Sequence, residues 1–211
     1  MKVFLWGIIT LIFFSGCDAT LNTKVKMSEL YNNDEKILTG FLRIEVPSCH
    51  SYEDSRKDSK TLFDLKSKIP HILPDSKFTQ CYRKEFNSYA EFTTPIQLSK
   101  NENRSNNYIG ILTDKSNLLS VYVPKKLQDN IKELQDNSLT KVNFKVKLQL
   151  INDLGKNSPE FMAFSTFIND DPIVVGSKIW LNKNSKPTLT LSDVSVSAAL
   201  NNSQAIVLIK Q

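Results

Sequence analysis

The side chains with the most reactive chemistry are those of three cysteines and two histidines. Cys49 and Cys81 enclose both His50 and His71 in one segment of the chain. Thiolate and imidazole groups together could bind zinc, but the adjacent pair Cys49-His50 does not match the usual spacing of about two to four residues between zinc ligands. From these residues alone a disulfide, a metal site and free thiols remain open, with the metal site least favoured.

No arrangement of residues predicts catalysis. The sequence has no glycine-rich phosphate loop, no His-Glu pair of the zinc proteases and no Gly-x-Ser-x-Gly elbow. His71 has no identifiable nucleophile or orienting residue near it, which favours a turn residue over a catalytic base. Asp170-Asp171 lacks the repeated ligand spacing of a calcium loop and is interpreted as part of a turn. We predict a non-enzymatic protein with no cofactor and no metal, although carboxylates from distant strands could still meet.

The amino-terminal segment has the three parts of a secretory signal. Lys2 and the amino terminus are positive, Val3 to Phe14 is an apolar run, and Ser15-Gly16 are small residues. As a helix the run would be about 18 Å long, against about 30 Å of hydrocarbon in a bilayer. An uncleaved membrane anchor and a buried strand are the alternatives. The small residues favour a cleaved export signal over residues 1–16.

The end of this segment, Phe14-Ser15-Gly16-Cys17, resembles the lipobox of bacterial lipoproteins, in which signal peptidase II cuts before a diacylglyceryl-modified cysteine. The family usually has Leu at the position of Phe14. The resemblance implies that Cys17 becomes the acylated first residue, anchored in the cell membrane on its periplasmic side. Several acyl chains, at about 0.8 kcal/mol per buried CH₂, bind membranes firmly. In Gram-negative lipoproteins an Asp after this cysteine is associated with inner-membrane retention, so Asp18 is implied as a sorting residue.

Lipid on Cys17 would change the interpretation of the other two cysteines. Cys49 and Cys81 would then be an even pair in an exported and oxidising compartment, where disulfides form and persist. The resemblance therefore favours a disulfide between them over a metal site or free thiols.

The charge pattern argues against a nucleic-acid partner. The formal net charge is only +5 over 211 residues, and basic residues alternate with acidic ones. A nucleic-acid-binding protein would normally collect its Lys and Arg on one face. Lys141, Lys145 and Lys147 do share one face of a predicted strand, where they could contact lipid head groups or protect a sheet edge from aggregation.

Hydrophobic periodicity predicts an α+β fold, with a mostly antiparallel β-sheet or β-sandwich and two or three short helices. The clearest strand is Thr140 to Asn152, in which apolar and polar residues alternate. Helices are predicted over Thr61 to Ile69, where Pro70 would end the helix, over Pro124 to Gln135, and from Ser192-Asp193 to Leu200.

Further along the chain, Glu160 to Ile168 is predicted as one strand and Trp180 as a core residue. The predicted domains are a signal peptide over 1–16, a lipidated amino terminus and tether over 17–33, and one β-rich exported domain over 34–211.

Several segments resemble uncharacterised lipoproteins carried by enterobacterial phages and prophages. The segments are Thr23-Lys24-Val25-Lys26-Met27-Ser28-Glu29-Leu30-Tyr31, Cys49 with Glu53-Asp54-Ser55-Arg56, Cys81-Tyr82-Arg83, and Leu191-Ser192-Asp193-Val194-Ser195-Val196. The resemblance supplies no catalytic residues. It implies an envelope binding or interference module, such as one that excludes a second phage, with an envelope or phage protein as partner. A structural or assembly factor of the envelope is the alternative, and an enzyme or metal protein is a more distant one.

Overall fold

A computed structural model describes residues 18–136, 142–173 and 176–211. The predicted α+β class is confirmed. The strands are β1 (Asp18–Lys26), β2 (Lys36–Val46), β3 (Lys77–Lys84), β4 (Asn87–Lys100), β5 (Ile109–Thr113), β6 (Asn117–Tyr122), β7 (Asn143–Ile151), β8 (Phe161–Ala163), β9 (Thr166–Ile168), β10 (Asp171–Ile173), β11 (Ser177–Ile179), β12 (Thr188–Leu191) and β13 (Gln204–Lys210).

The described part of the chain contains four α-helices, where the sequence predicted two or three. They are α1 (Met27–Asn32), α2 (Lys60–Ile72), α3 (Lys125–Asp136) and α4 (Asp193–Asn202). The additional one is α1, a short helix that ends at Asn33, whose φ of 53° is left-handed. The amino end of α4 matches its prediction, because the Ser192 Oγ accepts a hydrogen bond from the backbone N–H of Ser195 at 3.2 Å.

Strand β1 lies in the middle of the sheet, so the prediction of a tether over 17–33 is wrong for its described residues. β1 pairs parallel with β7 along its whole length, and its residues Ala19 to Thr23 pair antiparallel with β2. Its apolar side chains are buried, including Val25 at 0% exposure. The short helix α1 that follows buries Met27 and Leu30. The folded domain therefore includes the residues from Asp18 onward rather than beginning at residue 34.

The strands form one strongly curved and nearly closed sheet. The order is β10-β9-β12-β7-β1-β2-β4-β5-β6-β13-β8-β11, with β3 paired to the first half of β4. The predicted strand Glu160 to Ile168 is divided into β8 and β9, and Ser165 between them has a φ of 45°. Since β8 pairs with β13 and β9 with β12, this break lets the chain pass from one end of the sheet order to the other.

Helices α2, α3 and α4 pack apolar side chains against the sheet. The buried residues include Leu62 and Ile69 on α2 and Leu127 on α3. Contrary to prediction, α2 continues through Pro70 to Ile72. Proline removes one helical N–H donor. It is tolerated here because it lies in the last turn, where the Leu73 N–H still donates to the Ile69 carbonyl at 2.8 Å.

The predicted alternation in β7 is present, and Leu148 and Leu150 are buried on its inner face. Trp180 was predicted to be a core residue, which is wrong, because it is 59% exposed. It follows the three-residue strand β11, which pairs only with β8 at the end of the sheet order. A side chain there is covered by few neighbouring elements.

Candidate functional site: an apolar cavity beside the amino end of strand β1

A disulfide joins Cys49 to Cys81, the pair that the sequence suggested, with a Cα–Cα distance of 5.7 Å. It connects the loop after β2 to strand β3. The same loop is attached to the start of α2, because the Ser59 N–H donates to the Cys49 carbonyl at 3.1 Å. The Ser59 Oγ also accepts from the Leu62 N–H at 3.2 Å and so caps α2. The disulfide and the cap together fix the position of α2 relative to the sheet.

Neither histidine is part of a metal-binding group. His50 and His71 are both exposed. Among the described residues, no group of three or more His, Cys, Asp and Glu side chains could hold a metal ion. An ion pair and an apolar cavity lie elsewhere, at the end of the sheet that contains the first described residues of β1 and β7.

Asp18 is the first described residue and belongs to the outer face of the sheet. Its Oδ2 lies 2.8 Å from the Lys145 Nζ, and its Oδ1 accepts a hydrogen bond from the Asn143 Nδ2 at 3.1 Å. The Lys145 ammonium, which donates this hydrogen bond, holds the pKa of Asp18 below its ordinary value, and burial opposes that shift in part. Both side chains remain 39% exposed. The pair therefore fastens the start of β1 to β7 in a position that water still reaches.

Substituting Lys145 with methionine is expected to lower the free energy of unfolding by no more than about 1 kcal/mol at pH 7, as for other exposed ion pairs. A lowered carboxylate pKa stabilises the fold above the unfolded-state value of about 3.9, and this contribution is lost as the pH falls through the folded-state pKa. The difference between wild type and K145M should thus disappear in acid. Urea denaturation of both proteins at pH 7 and near pH 2 measures it.

The matched control is Lys147→Met, on the same face of β7. Lys147 forms no ion pair within the described ranges. Its variant should show no acid-dependent difference from wild type. A K145M difference that stayed constant with pH would contradict the assignment of the ion pair to Asp18.

On the inner side of the same end of the sheet, the three helices leave a cavity of about 220 Å³. Its wall is almost entirely apolar, with only Glu45, Thr61 and Lys145 as polar residues. The helices contribute Leu65, Ile69, Val196, Ala199 and Leu200, and the strands contribute Ala19, Leu21, Ile44, Phe144 and Val146.

Burial along β7 shows where the cavity lies. Phe144 and Val146 are only half-buried although they belong to the inner face, whereas Leu148 and Leu150 further along are buried. A second, shallower depression of about 240 Å³ adjoins the cavity. Val142 and residues of α4 line both of them. The apolar space therefore extends toward the start of β7. Asp18 lies there too, because Asp18 pairs in register with Asn143.

The sequence identified the individual residues of this region but not the cavity. The predicted signal segment 1–16 and the lipidation site Cys17 lie outside the described residues. Asp18 was singled out for sorting, yet its ion pair with Lys145 involves two positions distant in the chain and could not be anticipated. The inward residues of β7 were predicted from their alternation. That the helices would leave a space above Phe144 and Val146 follows only from their packing.

No helix of the described ranges combines the length and apolar character needed to cross a membrane. The fold and site define an α+β protein in which three helices pack against a nearly closed β-sheet and leave an apolar cavity between helices and sheet. A family model described as a domain of unknown function, DUF7424, matches residues 19–211. The chain belongs to this family. A search of curated proteins gave no match, and a search of solved structures gave none either.

Proposed function

We propose that this protein is a lipoprotein of the bacterial cell envelope, anchored by acyl chains on Cys17, and that it acts by binding rather than by catalysis. The observation that best supports the proposal is the position of β1. Asp18, the first described residue and the one that directly follows Cys17 in the sequence, is already paired with β7. An anchor on Cys17 would hold the folded domain against the membrane with no flexible spacer, and so would fix which end of the domain faces the lipid.

The surface around this end carries several basic residues. Lys145 and Lys147 of β7 and Arg43 of β2 line a depression there, together with the carboxylates Asp18 and Glu45. Basic side chains near an anionic membrane surface each contribute about 1 kcal/mol of attraction. These residues support an orientation in which the starts of β1 and β7 lie nearest the membrane.

The hairpin between β3 and β4 points in the same direction. Register pairs Val46 with Ser88 and Ser88 with Arg83, so the tip of the hairpin extends past the end of β2. Phe86 at this tip is 91% exposed. At about 3.3 Å per residue, it reaches roughly 7 Å beyond the row of Ser88. An exposed aromatic residue beside Arg83 suits the membrane interface, where aromatic and basic residues are both favoured.

The opposite end of the domain would then face the periplasm and a protein partner. We propose that this partner is an envelope or phage protein and that binding interferes with infection by a second phage. The resemblance to phage-borne lipoproteins supports this role. The inner membrane is the proposed location, because Asp18 follows the proposed lipidated cysteine.

The experiment is deletion of the gene followed by complementation, with adsorption and DNA entry measured across a broad panel of phages. Wild type should restore exclusion of at least one phage. Cys17→Ala should not, even where immunoblots show equal amounts of protein, since it would lack the anchor. Unchanged adsorption and entry for every phage would refute the interference role. A stable envelope complex recovered by crosslinking in that case would favour an assembly factor instead.

A further inference from the structure

The apolar cavity lies beside the proposed attachment point of the lipid. In the parallel pairing of β1 with β7, Asp18 is opposite Asn143. Val142, the residue just before Asn143, lines both the cavity and the adjoining depression. Along β1, the inward residues Ala19 and Leu21 also line the cavity, and side chains two residues apart share a face.

We propose that the cavity holds part of one acyl chain carried by Cys17. This inference rests on the lipidation proposed above. It names an occupant for the cavity and gives the acyl group a second role besides membrane insertion. The chain would enter from the start of β7, pass Phe144, and end among the apolar side chains of α2 and α4.

The size and chemistry of the cavity fit a segment of hydrocarbon chain. Its volume of about 220 Å³ exceeds the roughly 150 Å³ of an engineered apolar cavity that binds benzene. Its wall offers no cluster of polar groups that would orient a polar ligand, since Thr61, Glu45 and Lys145 are the only polar lining residues in the described ranges. A flexible unbranched chain needs no such groups.

Covalent attachment explains why this chain would leave the bilayer. Moving a methylene group from lipid to an apolar cavity leaves it shielded from water in both places, so the hydrophobic effect changes little. Filling the cavity restores van der Waals contacts that its lining residues otherwise lack. Attachment to a neighbouring residue also makes entry an intramolecular step with a high effective concentration. The half-buried Phe144 and Val146 are the residues that would gain these contacts.

The test uses the full chain in its own membrane. Cells are grown with a fatty acid that carries a diazirine near the end of its chain, membranes are irradiated, and crosslinked peptides of the purified protein are mapped by mass spectrometry. The expected product joins the amino-terminal lipopeptide, beginning at Cys17, to peptides containing Phe144 or residues 196–200. Ala199→Trp, which adds a large side chain to the cavity wall, should reduce this product at least tenfold. Val194→Trp is the matched control, because Val194 lies on the exposed face of α4 and its variant should crosslink as wild type does.

The possible outcomes separate this inference from the proposed function. Cavity peptides that carry labelled phospholipid instead of the lipopeptide would refute it, since the occupant would then come from the bilayer. Lipopeptide crosslinked only to phospholipid or to residues outside the cavity would also refute it, whatever the folding of the variants. If no label is found on the amino-terminal peptide, lipidation itself is refuted, and the proposed function fails along with the inference.

Discussion

Replacing Cys49 and Cys81 together with serine is expected to lower the free energy of unfolding by about 2 to 5 kcal/mol, the range for loss of a native disulfide. The two cysteines are 32 positions apart, so the bond restricts a long loop of the unfolded chain. The bond also connects strand β3 to the loop that holds the amino end of α2. Urea denaturation of the detergent-purified protein, followed by circular dichroism, measures the loss.

The control for the double serine variant is wild type with and without a reductant. Reductant should lower the denaturation midpoint of wild type toward that of the variant and should leave the variant unchanged. If oxidised wild type and the variant unfolded at the same urea concentration, the bond would contribute no stability, and the explanation given for the position of α2 would be wrong.

Substituting Asn22 with proline is expected to destabilise the fold by at least about 1 to 3 kcal/mol, because it leaves a backbone acceptor inside the sheet without its donor. Asn22 lies in the middle of β1, paired with Phe41 of β2 and with Lys147 of β7. Proline has no N–H to donate and is confined in folded sheets to edge strands and bulges. A position with a partner strand on each side accommodates it poorly. Limited proteolysis and the urea denaturation midpoint both report the effect.

Asn22→Ala is the matched control, since it shortens the same side chain and leaves the backbone donor intact. Asn22 belongs to the partly exposed outer face of β1, so alanine should change the free energy of unfolding by no more than about 0.5 kcal/mol. If N22P were as stable as N22A, residues 18–26 would behave as the flexible tether that the sequence suggested, and β1 would not be part of the cooperative fold.

Local patterns predicted those parts of the fold that local chemistry determines. The alternation of Leu148 and Leu150 with polar neighbours located β7, and Ser192 located the start of α4. β1 was missed because its signal is weaker. Thr20 and Thr23 are buried polar residues within the strand, so the segment reads as polar although it lies in the sheet. Its parallel partner β7 also follows more than a hundred residues later in the chain. No local sequence pattern indicates a pairing over that separation.

The candidate site depends still more on tertiary structure. The sequence singled out Asp18, Cys49 and Cys81. In the fold, Asp18 forms an ion pair with Lys145, and Cys49 forms a disulfide with Cys81. The cavity arises because α2, α3 and α4 leave space between themselves and the sheet. No sequence motif indicates how closely helices pack against a curved sheet. Pro70 illustrates the same limit, since α2 continues two residues beyond a residue that usually ends a helix.

Acylation of Cys17, as proposed, would let the fold determine how the domain is oriented on the membrane. Asp18, the first described residue of β1, is already paired with β7, so an acylated cysteine directly before it would leave the domain almost no freedom to move away from the bilayer. The Asp18–Lys145 pair strengthens this connection on the outer face, and the cavity lies on the inner face beside it. Membrane attachment, surface charge and the apolar space would then belong to one end of the molecule.

Intact-mass spectrometry of the protein purified from bacterial membranes tests the central claim, acylation of Cys17, most directly. The predicted result is a chain that begins at Cys17 and carries the added mass of a diacylglyceryl group, with or without a third acyl chain, while Cys17→Ala keeps the mass of the unprocessed precursor. A wild-type chain without lipid mass, or one that begins at any residue other than Cys17, would contradict it.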